Sequence, residues 1–528
     1  MGNAPEFAAS DRAAQSAAQA AVIEFLSRPE SYPGGVTAVS RIETHAAIVF
    51  LAGERAYKLK RAVKLPYLDF STLEKRRIAI ERELEINARA TPGLYLAVLP
   101  VTRGADGRFE LGGAGEPADW VLVMRRFQQD TLLDAIAAGG GLGGELAAEL
   151  AQAVEHFHRM APQAKGAGFA DTLGRVAADL EAVLCGAEAQ ARGLRLAPYA
   201  RRLRQELEAR APLLSAREGE GFVRRCHGDL HLRNIVLWEG KPRLFDAIEF
   251  DERLAAIDVL YDLAFLLMDL WHRGLRREAN LILNHYFQGA AIGELAGLAL
   301  LPLFLSVRAA IRAMTGLHAL PFRDATGQET LLREIESYAA LAEALLSQGR
   351  ASLVAIGGIS GTGKTSAARE AAPFIGAAPG ALHIRTDVER KVMRGVALNR
   401  RLPPEAYGPE QRDEVYRRVC KKAEAVLDSG HSAIVDAVFP GEEWRLSLCE
   451  LAHRAGAAFW GFWLVADAAA IRARLAARGE SAQDASDAGP EVAEAQMKSV
   501  APPPDWIEID ASGPPAATAA AIVKALQA

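Results

Sequence analysis

Two clusters of residues in this chain have the types and spacing that phosphate chemistry needs. One is Gly358-Ile359-Ser360-Gly361-Thr362-Gly363-Lys364-Thr365, a G-x-x-x-x-G-K-[ST] pattern with Ser366 next in line. It follows the apolar run Leu353-Val354-Ala355-Ile356 and opens an Ala-rich stretch, Ser366 to Ala372, so a strand should enter the loop and a helix leave it. In such a loop, Gly358, Gly361 and Gly363 let the backbone curl so that N–H groups face a polyphosphate. Lys364 then neutralises the β and γ oxygens, and the Thr365 hydroxyl ligates Mg²⁺. The ligand class is ATP or GTP.

The other cluster is His227-Gly228-Asp229-Leu230-His231-Leu232-Arg233-Asn234, of the form H-x-D-x-x-x-x-N, with Asp246 following at the end of the apolar run Pro242-Arg243-Leu244-Phe245. A carboxylate such as Asp229 accepts or orients the proton of a substrate hydroxyl. An amide oxygen (Asn234) and a second carboxylate (Asp246) hold Mg²⁺ against the phosphates. A single Asp or Asn in a loop is commonly a turn residue. The whole set, in this order and after a strand-rich block, favours an active site.

Three blocks must position these groups. Residues 36–127 alternate strand-like runs (Ala47–Leu51, Ala56–Leu59, Leu96–Thr102, Trp120–Arg125) with one helix. That helix opens at Ser71-Thr72-Leu73-Glu74, a capping-box pattern, and ends before Pro92-Gly93. Residues 130–346 are mainly helical by periodicity, with short strands near 222–250. Residues 352–528 alternate strands (Leu353–Ile356, Ala381–Arg385, Ala433–Val435, Ala458–Val465, Trp506–Ile509) with helices, as an open parallel sheet would. The break between the last two blocks falls near Gln348-Gly349-Arg350.

At 528 residues the chain is too long for one core. Its net charge of −5 provides no field for nucleic acid as a bulk partner. Cys185, Cys226, Cys420 and Cys449 are far apart and form no C-x-x-C pair, which argues against a zinc site and reads as buried thiols in a reducing compartment. The most apolar segment, Leu295 to Val307, contains Pro302 and stops at Arg308, which suits a buried helix better than a membrane span. Residues 1–20 read as a disordered leader without signal-peptide character. These readings place the chain in the cytoplasm, with no membrane partner.

The segment from His227 to Asn234, with Asp246 and the run Ile248 to Leu266, resembles the catalytic region of the aminoglycoside/choline-kinase-like superfamily, which shares the protein-kinase-like fold. The resemblance implies a small lobe over about 36–127, a large lobe over about 128–346 and a hinge near Arg125-Arg126-Phe127. It puts Lys58 in the place of the lysine that contacts the α and β phosphates. Lys60 shares the same strand face and is a rival. The glutamate partner should come from the helix, where Arg82-Glu83 fits best and Glu81 and Glu85 stay open. In that superfamily an Asp such as Asp262 caps the helix behind the catalytic loop; for Asp258 and Asp262 a structural role is preferred. An aminoglycoside acceptor would need a dense acidic surface, for which Glu249, Asp251, Glu252, Asp258 and Asp269 are the candidates.

In the last block, Asp387-Val388-Glu389-Arg390 is similar to the Asp-x-x-Arg element of P-loop kinases of the gluconate-kinase, polynucleotide-kinase and zeta-toxin type. There the aspartate activates the acceptor hydroxyl and the arginine steadies an anionic group. The alternative for Asp387 is a helix N-cap, worth about 1 kcal/mol. Asp436 resembles the second acidic residue at a strand end, orienting Mg²⁺ water or substrate. Arg478 is the best-placed arginine for a lid over the transferring phosphate, with Arg474 on the same helical face.

The whole chain thus resembles a bacterial fusion family. An α+β protein-kinase-like (aminoglycoside phosphotransferase) domain, 21–346, precedes an α/β P-loop kinase domain with a parallel sheet, 350–528. The implied activity is a magnesium- and ATP-dependent, bifunctional kinase acting on alcohol groups of small-molecule acceptors, with an oligonucleotide end as the one nucleic-acid acceptor left open. The alternative is one active P-loop kinase domain regulated by a nucleotide-sensing kinase-like domain.

Overall fold

The structure is a computed structural model that describes residues 19–44, 46–65, 68–347, 349–480 and 485–527. The chain divides into two compact units. The first holds the described residues up to Leu142 with Ala153–Thr172 and Glu218–Asp262, and the second holds Gly143–Gln152, Leu173–Arg217 and the remainder from Leu263. Most of the expected leader lies outside the described residues. Gln19 and Ala20, expected within it, begin a helix over 19–26, and the Gln19 amide is buried, donating to Lys60 O and to Asp119.

The first unit is built on a six-stranded antiparallel sheet. Its strands run, in spatial order, Val39–Glu43, Ala47–Ala52, Arg55–Lys60, Glu116–Arg125, Tyr95–Arg103 and Phe109–Leu111. Period-two alternation gives it two apolar faces. Ile48, Phe50, Tyr57, Leu59, Val121 and Val123 pack with Val22 and Leu26 of the first helix. Ala56, Leu122, Met124 and Tyr95 pack with Ile80 of the helix Leu73–Ala90. Lys58 and Lys60, two and four residues beyond Ala56, therefore face that helix.

The helix is capped one residue later than its sequence pattern suggests. Thr72 is the N-cap and accepts from Lys75 N, whereas Ser71 is engaged by Asp69 and Glu74 pairs with Arg77 on the surface. Two hydroxyls compete at this end, and the carboxylate of Asp69 draws one of them off. Farther along the helix, Arg76 (5% exposed) forms an ion pair with Asp119 (0% exposed), Nε to Oδ1 at 2.9 Å, which fixes the helix on the central strand.

The second unit contains a five-stranded, wholly parallel sheet in the order Leu382–Arg385, Ala433–Asp436, Ser352–Gly357, Ala458–Val465, Ile507–Asp510. Its first strand in the chain lies in the middle. The loop leaving that strand therefore opens at the point where strand order reverses, the place where open α/β sheets bind ligands. Val354, Ile356, Ile434 and Phe462 pack with the helices Lys364–Ala371 and Pro515–Leu526. In the helical part of this unit, Ile292–Ala319 is long and apolar enough to cross a membrane, but 78% of its most apolar window is buried, in keeping with a core helix. All four cysteines are free. Only Cys226 is buried, and Cys449 is exposed, so the expectation of four buried thiols is corrected.

The Arg76–Asp119 pair yields a stability prediction. Arg76→Ala leaves a buried carboxylate without its cation, so urea unfolding of the first unit should show a loss of about 3–5 kcal/mol. A loss below about 1 kcal/mol, the range of surface pairs, would show that the pair does not secure the helix.

Candidate active sites

In the first unit, the side chains expected to act together do meet. Lys58 Nζ lies 2.7 Å from Glu83 Oε1 and 2.5 Å from Asp246 Oδ1. Glu83 is completely buried, whereas Glu81 and Glu85 are surface residues paired with Arg77 and Arg89. Lys60 also reaches Glu83 (2.5 Å), but its ammonium is otherwise enclosed by Glu249 and the Phe70 ring, 5.1 Å from its centroid. Of the two lysines, Lys58 is therefore the one that joins Glu83 to Asp246. Burial lowers the proton affinity of Lys58, but Asp246, Glu83 and Glu249 outweigh this and raise its pKa well above the ordinary value. Burial pushes Asp246 up, and Lys58 more than offsets it, holding the carboxyl below its usual range. Both groups are ionised at neutral pH.

Asp246 has φ 61°, a left-handed conformation uncommon outside glycine. Its neighbours hold it there. Asp246 N–H donates to Tyr95 Oη at 2.9 Å, Ala247 N–H to Asn87 Oδ1 at 2.9 Å, and Thr91 Oγ1 donates to Leu244 O at 2.6 Å. Phe127, near the expected hinge, packs edge-on against Phe245 at 5.4 Å. Sequence reasoning passed over Tyr95, Asn87 and Thr91. For two of them there was a signal: Glu83, Asn87 and Thr91 recur every four residues along one side of an otherwise amphipathic helix, and all three are buried.

Around the loop from His227 to Asn234, Asn234 Nδ2 donates to Asp229 Oδ2 at 2.9 Å and to Asp229 O at 2.9 Å. Its amide oxygen is thereby turned away from Asp229. His231 Nε2 lies 3.4 Å from the same carboxylate. Asp262 does not cap its helix, Val259–His272. It lies in the first turn and accepts from His227 N and Gly228 N, each at 2.9 Å, and contacts His158 Nε2 at 3.1 Å. The helix cap is instead provided by Asp258, which accepts from Leu260 N at 2.8 Å. A Cβ at Gly228 (φ 84°) would stand 2.9 Å from both Leu254 O and Ile248 Cδ1, so the turn that presents Asp229 requires glycine.

In the second unit, Gly358, Gly361 and Gly363 take φ of 139°, 89° and 93°. A Cβ at Gly358 would approach Leu464 O to 2.7 Å. Thr362 is tied within the loop to Ile359 O (2.9 Å), as is Lys364 Nζ (2.9 Å), and Ser360 N donates to Gln496 Oε1 at 2.7 Å. Ser366 is exposed at the start of the helix Lys364–Ala371 and lines a cavity beside the loop. Thr365 Oγ1 donates to Asp436 Oδ2 at 2.6 Å. Burial pushes Asp436 up, but its contact with His383 and the charges of Lys364 and Arg385 hold it well below the usual carboxylate range. A hydroxyl and an ionised carboxylate side by side, both oxygen donors, suit Mg²⁺. Asn234 and Asp246 offer the same donor chemistry in the first unit.

Asp387 lies in the first turn of the helix Thr386–Met393, whose N-cap is Arg385; the N-cap alternative for Asp387 is therefore excluded. Its carboxylate lines a cavity with Lys364, Thr365 and Asp436 and makes no hydrogen bond or ion pair among the described residues. Arg390 is 8% exposed, donates to Ala406 O at 2.8 Å and stacks on Tyr407, while its Nε has no partner. Arg474 is anchored to backbone carbonyls, donating to Thr362 O (3.0 Å), Ala511 O (2.7 Å) and Gly513 O (2.8 Å), and so braces the loop. The Arg478 side chain lies outside the described residues.

The Asp262 clamp is directly testable. Asp262→Ala strands two buried N–H groups, at about 1–3 kcal/mol each. The amides of His227 and Gly228 should then exchange hydrogen at least tenfold faster. Unchanged exchange at both would show that Asp262 does not hold the loop.

Against known proteins, the family model described as phosphotransferase enzyme family matches residues 60–301, and that described as AAA domain matches residues 353–503. The chain is 30% identical over 486 residues to uncharacterized protein Rv2004c of Mycobacterium tuberculosis, covering 89% of this chain and 92% of the relative. The same figures hold for uncharacterized protein Mb2027c of Mycobacterium bovis. Among solved structures, it is similar to a choline/ethanolamine kinase family protein from Mesorhizobium loti (16% identity, 62% of this chain and 98% of that chain, TM-score 0.38). It is also similar to the Mycobacterium tuberculosis APS kinase CysC (19% identity, 34% of this chain and 99% of that chain, TM-score 0.26). With both matched segments present in order and the full-length relatives aligned nearly end to end, the chain belongs to a family of fusion proteins that join an aminoglycoside-phosphotransferase-type domain to a P-loop kinase-like domain.

Proposed function

We propose that this chain is an Mg·ATP-dependent phosphotransferase of the cytoplasm with two nucleotide sites, each moving a γ-phosphoryl group to a hydroxyl of a small-molecule acceptor. The observation that carries this reading is the bridge from Glu83 through Lys58 to Asp246. Kinase chemistry needs the strand lysine, its helix glutamate and the metal carboxylate in place together. In the second unit, Thr365, Asp436 and the unbonded Asp387 around the phosphate loop support the same reading.

In the first site, Lys58 would neutralise the α and β phosphates, with Glu83 holding its ammonium. Asn234 and Asp246 would hold Mg²⁺, which when bound offsets charge on the phosphate oxygens. Asp229 would take the acceptor proton as the acceptor oxygen bonds to the γ phosphorus and the bond to the β–γ bridging oxygen breaks, leaving ADP. In the second site, Lys364 and the backbone of Ser360 to Ser366 would cradle the phosphates. Thr365 and Asp436 would hold Mg²⁺, and Asp387 would be the base. Arg390 would face an anionic group of the acceptor, because a buried guanidinium with an unused donor is a ready partner for one. Arg478 would supply lid charge over the transferring phosphoryl group.

Asp229→Asn and Asp387→Asn in the full chain test the assignment with γ-labelled ATP over sugars, polyols, hydroxy acids, nucleosides, oligonucleotide ends and aminoglycosides. Each variant should lose its own set of labelled products by about 10²–10⁴-fold while nucleotide affinity holds, the contribution of a positioned base. Retention of every product within threefold by both variants would refute the two bases.

A further inference from the structure

The cavity beside the phosphate loop has a volume of about 1620 Å³. A single small ligand takes roughly 300–1,000 Å³, so there is room for a nucleotide and a second molecule of substantial size. Three arginines line the cavity: Arg390 and Arg401, which form no ion pair among the described residues, and Arg412, 4.0 Å from Asp413. Another part of the lining has a different origin: it comes from the helices Gly144–Met160 and Arg276–Tyr286, both inside the segment that matches the phosphotransferase family.

On the first of these helices Glu145, Glu149 and Gln152 recur at i, i+4 and i+7. That spacing puts them on one face, and this face lines the cavity. None of the three makes a hydrogen bond or ion pair among the described residues. The second helix is fixed to the sheet. Asn280 Nδ2 donates to Ala381 O at 3.1 Å, His383 N donates to Asn284 Oδ1 at 2.6 Å, and Arg277 pairs with Glu370 at 2.9 Å. Asn280 and Asn284 thereby satisfy groups on the open edge at the start of the strand Leu382–Arg385, which leads into Asp387, while Arg277 ties the same helix to Lys364–Ala371. The helix Arg276–Tyr286 is thus held against the same strand that leads to the candidate base.

We infer that the acceptor pocket of the P-loop site is composite, with Glu145, Glu149 and Gln152 selecting an acceptor whose far end carries hydroxyl or ammonium donors, while its near end carries the anion that Arg390 meets. Free carboxylates, an amide oxygen and guanidinium groups lining one cavity are complementary to a bipolar molecule and reject a short or uniformly anionic one. The inference rests on the reading of this cleft as a phosphotransfer site.

The test uses the full chain with ATP and two hydroxy acids as probes: gluconate, with a long polyol tail, and glycerate, with almost none. Wild type should favour gluconate in kcat/KM. Glu145→Gln/Glu149→Gln/Gln152→Ala should cut kcat/KM for gluconate about tenfold, with glycerate changed less than about twofold and KM for ATP unmoved. All three substitutions are on the surface, and a melting curve checks that the variant folds. No preference for gluconate in wild type, no phosphorylation of either probe, or a preference that survives the triple substitution would overturn the inference. If Lys364→Ala still phosphorylated gluconate, the failure would belong to the phosphate-loop reading instead.

Discussion

A carboxylate buried in a protein interior is costly unless cations meet it, and Glu83 has no exposed surface at all. It is met by two ammonium groups, Lys58 and Lys60, on one strand face. That requirement dictates much of the first unit. The strand must alternate so that both lysines point toward the helix. The helix must be pinned in rotation, which the Arg76–Asp119 pair does two turns earlier. The loop carrying Asp246 must come close enough to share Lys58, and Tyr95, Asn87 and Thr91 bring it there.

The second candidate site would meet the demand of binding a polyanion by other means. Its phosphate loop depends on backbone shape, with three glycines at positive φ and a loop braced from outside by Arg474 and Gln496. Beside the loop, charge enters at Lys364 and at the Thr365–Asp436 pair. Backbone N–H groups are fixed dipoles that need no counter-ion, so this site can stand open beside a wide cavity. The Lys58 site, in contrast, is assembled from full charges that must neutralise one another.

Much of this was legible in the sequence, for identifiable reasons. Strand Ala458–Val465 and its parallel neighbours are short apolar runs with little choice of partner, and the phosphate loop is defined by local residues alone. Asp229, Asn234 and Asp246 could be picked out as candidates because kinase chemistry dictates their types, and the family resemblance pointed to Lys58 with Lys60 as its rival. Choosing Glu83 over Glu81 and Glu85 needed the helix rotation, which is a tertiary fact. The clamp by Asp262 was hidden because a residue in a helix's first turn reads as local, whereas its partners stand 34 and 35 positions away. The capping box failed where Asp69 captured Ser71, a competition between two hydroxyls that pattern alone does not rank. The wall of Glu145, Glu149 and Gln152 could not be read at all, since nothing local links that helix to a loop two hundred residues away.

The central claim is that one polypeptide grips a triphosphate twice, through unrelated devices. Calorimetric titration of the full chain with a non-hydrolysable ATP analogue and Mg²⁺ tests it most directly. The account predicts saturation at two equivalents, with Lys58→Met removing one and Lys364→Ala removing the other. Saturation at one equivalent or none would contradict it.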